Sequence, residues 1–171
     1  MRKTLGTFGA VWGVTGIILL LTYAMLRLGA TAVDALAEPL TGWQWTVLII
    51  NVVFMAHTEG YKGFQKNFSP RVVARAKHVL DHPSVTNVVL APLFCMGYFN
   101  ATRRRLIVTY GLTAGIVALV IAFRFLPQPW RGVLDAGVVV GLTWGVISIM
   151  AFAGRAMSGR DGDISPELAP G

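Results

Sequence analysis

The chain has 171 residues, 54% of them hydrophobic and 13% charged, with a net charge of +7. Soluble globular domains average about 25% charged residues, so this composition excludes an ordinary soluble domain and points to an all-α integral membrane protein. The Lys and Arg residues sit between apolar runs, where positive charge signals membrane orientation and attraction to anionic headgroups, not nucleic-acid binding.

The runs predict a single membrane domain over residues 1–154. Spans are expected at about 5–27, 43–60, 106–125 and 132–153. A short or re-entrant apolar segment is expected at 85–99, an interfacial amphipathic helix at about 70–80, and a disordered cytoplasmic tail at 155–171. The first run follows Arg2 and Lys3. Ala30-Thr31-Ala32 resembles a signal-peptidase site, but the run before it is about 22 residues, longer than the 7–15 of a signal peptide, so the span is expected to be retained. Residues 29–42 carry Asp34 and Glu38 and no Lys or Arg, as an outer loop can. Span 2 opens with Trp43 and Trp45, residues favoured at membrane interfaces.

The end of span 2 holds the main polar constellation. At about 100° per residue, Asn51, Met55, Thr58, Glu59, Lys62 and Lys66 share one side, and Phe54, His57, Tyr61, Phe64 and Phe68 the other. Asn51, His57, Glu59, Tyr61 and Lys62, joined by Asn100, form a candidate polar site near the cytoplasmic interface. Glu59 and Lys62 are also spaced for an i,i+3 ion pair. Ser69-Pro70 reads as an N-cap followed by proline in the first turn of a new helix. In that helix Val72, Val73, Ala76, Val79 and Leu80 share a face, with Arg71, Arg75 and His78 off it, as in a helix lying on the leaflet. Arg71, Arg75 and Lys77, with Arg103, Arg104 and Arg105 further on, are candidate headgroup or phosphate contacts.

The run 85–99 is short for a span of about 20 residues and contains Pro92. If it crosses the membrane, nine basic residues lie inside and six outside; if it returns to its own side, twelve lie inside and three outside. The second count favours four spans plus a re-entrant or kinked segment; five full spans is the alternative. The sole cysteine, Cys95, lies in this run and reads as a small buried apolar side chain. The turn from Leu126 to Arg131 makes the last two spans an antiparallel hairpin, with Arg124 and Asp135 placed to pair across it. Small residues recur at Gly9 and Gly13, at Gly111 and Gly115, and at Gly137, Gly141 and Gly145, a zipper-like pattern suited to close helix packing.

No phosphate loop, dinucleotide fingerprint or nucleophile elbow is present. His57 and Glu59 diverge by about 200° on an α-helix, which does not suit a zinc pair. No catalytic residue, metal or cofactor is therefore expected. The expected function is a non-catalytic accessory or assembly subunit, with a membrane-protein partner or a second copy beside it in the bilayer. The alternatives are a small oligomeric transporter or channel, and an enzyme or binding protein for a lipid-soluble substrate such as a quinone, isoprenoid or phospholipid. The compact, loop-poor form suggests a bacterial inner membrane, with the N-terminus cytoplasmic.

Overall fold

The computed structural model describes residues 2–160 and 165–169. Its regular elements are all helical: α1 (Arg2–Ala37), α2 (Gly42–Met55), a π-helical segment (Ala56–Phe68), α3 (Ser69–Asp81), α4 (Val85–Val89), α5 (Ala91–Met96), α6 (Arg103–Phe123) and α7 (Trp130–Met157). Three of them, α1, α6 and α7, are long and apolar enough to cross a membrane. The chain is a helical membrane protein.

Helix starts follow side-chain chemistry. Thr41 caps α2 through a capping box: its Oγ1 accepts from the Gln44 N–H, and the Gln44 side chain accepts from the Thr41 N–H at 2.8 Å. Ser84 caps α4, and Thr102 caps α6. Ser69, by contrast, is not a cap. It has helical backbone angles, and its N–H donates to the Phe64 carbonyl five residues back. One rod therefore runs from α2 through the π segment into α3. Pro70 helps to explain the widening, since proline lacks an N–H and crowds the carbonyl four residues behind it. Bonding to the fifth residue back keeps the backbone helical where α-winding is disfavoured.

The chain folds around α1, which is about 54 Å long at 1.5 Å per residue. Its most extensive neighbour is α7. Gly132 meets Ala35 and the Thr31 carbonyl, while Ile149 and Ile17 share the buried core, so the two helices are antiparallel. Around the first half of α1 lie α3, α4 and α5. Gly6 abuts Leu80, Gly9 abuts Val79 and Val88, Gly13 abuts Cys95 and Ala91, and Gly16 abuts Pro92. The core of Ile17, Val72, Val79, Val88, Phe94, Cys95 and Ile149 lies here.

The helix expected at about 70–80 spans Ser69–Asp81, and its apolar face is packed inside the protein: Val72 and Val79 are fully buried, and so, almost entirely, is Arg75 at 2% exposure. The tail is not disordered throughout. Helix α7 continues to Met157, and residues 165–169 are seated on the protein, with Leu168 against the core; the part of that expectation falling on 161–164 and 170–171 lies outside the described residues. Gly111 and Gly115 meet no other element of this chain among the described residues, because α6 stands apart from the bundle and touches the rest only sparsely.

Candidate functional site

Asn51 and Glu59 both face α7. The Asn51 side-chain amide donates to the carbonyls of Val133 and Leu134 at 3.0 and 3.1 Å. It sits where a side chain on Gly137 would clash, so Asn51 joins α2 to α7. The Glu59 carboxylate lies against Gly141, and its Oε2 is buried with no hydrogen-bond partner. No Glu59–Lys62 ion pair forms among the described residues, and Lys62 is exposed.

The other half of the expected site points elsewhere. His57 is exposed and lies 5.9 Å from the Tyr61 ring. Lys66 lies over Tyr61 at 4.7 Å, although α-helical geometry separates them. Phe64 faces Gly145, and Gly60 faces Trp144, on the α7 side with Glu59. The cause is the π winding, which brings residues five apart onto one face: Tyr61 with Lys66, Glu59 with Phe64. The Asn67 amide likewise reaches the Lys62 carbonyl at 2.6 Å. Asn51, His57, Glu59 and Tyr61 therefore do not converge on one site. Asn100 is remote from them and belongs to a different cluster.

That cluster is built on Arg75. Its Nε donates to the Phe94 carbonyl at 2.6 Å, Nη1 to Pro166 at 2.9 Å, and Nη2 to Phe99 and Asn100 at 2.8 and 3.2 Å. The guanidinium also lies 4.2 Å from the centre of the Phe94 ring. Burial lowers the Arg75 pKa to about 10, which keeps it charged at neutral pH. Arg75 is thus an internal clasp on four backbone carbonyls. It holds the irregular stretch after α5, where Gly97 and Asn100 have positive φ angles of 87° and 48°. Glycine and asparagine tolerate that conformation best.

The remaining basic candidates are spread over the same end. Arg103, Arg104 and Lys77 are exposed, while Arg105 is half-buried beside Gly97. Arg71 Nη1 lies 3.8 Å from the Glu167 carboxylate. At the other end of α7, Asp135 pairs with Arg131 at 3.8 Å, one turn away, rather than with Arg124.

An open groove of about 570 Å³ runs along α7, walled by Gln65, Thr143, Trp144, Ser148, Phe152 and Arg155 among others. Trp144 Nε1 donates to Gln65 Oε1 at 2.8 Å. The Ser148 hydroxyl is buried and has no partner. This groove was not legible in the sequence, where Ser148 stands in the largely apolar second half of α7. Among the described residues, no group of three or more His, Cys, Asp or Glu is placed to hold a metal ion. No protein-family model, curated protein or solved structure matches the chain.

Proposed function

We propose that the chain is a small, non-catalytic accessory or assembly subunit of a larger membrane complex, and that it docks through α6. The isolation of α6 carries this reading. A glycine inside a helix costs roughly 0.5–1 kcal/mol relative to alanine. In lipid that cost is offset where a neighbouring element packs closely against the glycine. In α7, Gly137, Gly141 and Gly145 each receive a side chain of the neighbouring rod, Asn51, Glu59 and Phe64; in α6, Gly111 and Gly115 have open space. A helix of another protein, or of a second copy, would close on that face.

The topology that goes with this reading has four crossings: α1, α2 with the start of the π segment, α6 and α7. Helices α4 and α5, with 5 and 6 residues, reach about 17 Å in all, too little for a core about 30 Å thick. They would act as a re-entrant piece returning to its own side. The charge count makes that side cytoplasmic, and a bacterial inner membrane fits the loop-poor form. The test is mass spectrometry of the protein taken gently from its native membrane. A stoichiometric protein partner, lost when Gly111 and Gly115 are both changed to Leu, is the expected result. A lone wild-type chain would overturn the proposal.

The groove on α7 favours a second reading, a binding protein for a lipid-soluble ligand. An acyl or prenyl chain would lie along Trp144 and Phe152, with an anionic head at Arg155. A bound lipid that disappears with Ser148→Leu would support this reading over the first.

A further inference from the structure

The C-terminal residues 165–169 lie against α3 and the start of α6. The Thr102 N–H donates to the Glu167 carbonyl at 3.2 Å, and Arg75 Nη1 donates to the Pro166 carbonyl at 2.9 Å. The Glu167 carboxylate faces Arg71 and interacts electrostatically with Arg75 and Arg105. Arg105 in turn repels both Arg71 and Arg75. Arg71 thus pairs with the Glu167 carboxylate, Arg75 and the Thr102 N–H hold the carbonyls of Pro166 and Glu167, and Arg105 adds its charge from the first turn of α6. We propose that this cradle is a binding site for a phosphate group, and that Glu167 with its flanking backbone fills it as a displaceable internal ligand.

The composition of the cradle supports this. Three positive groups lie around one carboxylate and only Arg71 is at ion-pair distance, leaving excess charge that a phosphate oxygen cluster satisfies better than a single carboxylate. Glu167 is also loosely held. Its closest ion-pair distance is 3.8 Å and its side chain is 39% exposed. Its φ is 49°, a conformation disfavoured for glutamate. Arg71 Nε is buried and has no hydrogen-bond partner.

The seat can empty without dismantling its walls. Arg75 keeps the carbonyls of Phe94, Phe99 and Asn100 when Pro166 leaves. The cradle lies where the apolar run of α6 begins, beside the exposed Arg103 and Arg104. In the proposed topology that is headgroup depth on the cytoplasmic side, where basic residues attract anionic lipid. The phosphate is carried by an anionic lipid or arrives free in solution. This inference does not depend on α6 having a protein partner.

The test uses the full chain in phosphatidylcholine nanodiscs containing a minor share of phosphatidylglycerol, with retained lipid counted by native mass spectrometry. Glu167→Gln is expected to raise phosphatidylglycerol retention about two- to fivefold, the worth of one partly exposed ion pair. Arg71→Gln combined with Arg105→Gln is expected to reduce retention and to cancel the gain from Glu167→Gln. Arg71→Lys with Arg105→Lys, which keeps the charge, is expected to retain part of the binding, separating loss of the site from loss of the fold. Release of the lipid by inorganic phosphate, but not by chloride at equal ionic strength, would identify free phosphate as a ligand of the same cradle. Resistance to that release would identify the headgroup. Unchanged retention in Glu167→Gln, or a gain that survives removal of both arginines, would overturn the proposal.

Discussion

Asn51 illustrates how a polar residue deep in an apolar helix is used for packing. Its two hydrogen bonds to α7 carbonyls hold a contact that Gly137 keeps close. Asn51→Leu should lower stability by about 0.5–2 kcal/mol, the range for hydrogen bonds between membrane helices, measured by unfolding in mixed micelles. An unchanged midpoint would mean that the amide is not holding the helices together. Arg75 carries more. Arg75→Gln strips a charged donor from four backbone carbonyls, and hydrogen bonds to charged groups are worth about 1.5–3 kcal/mol. The variant should lose at least that much, and proteolysis should appear first between Phe94 and Thr102. His78 adds a pH dependence. It stacks on His82 at 5.0 Å and Phe94 at 6.0 Å, and burial, then the charges of His82 and Arg75, lower its pKa against the pull of Asp81. The unfolded chain therefore binds a proton more readily than the folded one. Stability should be full above the ordinary histidine pKa of about 6.5 and fall as pH drops below it toward the folded value. His78→Asn should flatten the melting temperature between pH 7.5 and 5.5; an equal slope in both proteins would locate the effect elsewhere.

At the scale of the element, glycines of similar spacing have opposite surroundings. A Cβ on Gly145 would come within 2.7 Å of the Phe64 ring, whereas Gly111 and Gly115 have nothing within 4 Å. Gly145→Leu should therefore abolish the monodisperse peak in size-exclusion chromatography, and Gly111→Leu should leave it intact. Both glycine faces were legible as a spacing, but spacing alone does not say which face has a neighbour. The π segment marks a second limit. A helical wheel assumes 100° per residue, so it separates Glu59 from Phe64 and Tyr61 from Lys66, pairs that the wider winding brings together. Ser69-Pro70 has the form of a helix start, yet the chain passes through it because the wider turns absorb the proline. Where ordinary turn chemistry governed, as at Thr41 with Gln44, local residues did specify the helix start. The Arg75 clasp joins residues up to 91 positions apart, and no local period encodes such a distance.

For the whole molecule, the arrangement of contacts bears on threading through the bilayer. Gly132 of α7 lies beside Thr31 and Ala35 at the end of α1, and α7 follows α6 across a short turn. The start of α6 lies beside Gly97 and Thr102, within reach of the Arg75 clasp. That clasp packs with α3 and α5 around the first half of α1. The N-terminal half of α1, the α3–α5 layer, the start of α6 and residues 165–169 thus gather at one end, and the 38–41 and 124–129 turns at the other. In the four-crossing topology proposed above, such a chain would cross an even number of times between its ends. That proposal would place Arg103, Arg104 and Arg105 on the side of Arg2 and Lys3, the side that the excess of basic residues favours as cytoplasmic. A cysteine at Thr102 tests this directly. In a Cys95→Ala background, it should react with a membrane-impermeant maleimide in inverted vesicles and stay unlabelled in intact spheroplasts. A cysteine at Glu38 should show the reverse. Labelling of Thr102→Cys from the outside would make 85–99 a true crossing. It would also turn α6 and α7 over in the membrane and move the Arg71–Arg105 cradle away from any cytoplasmic lipid.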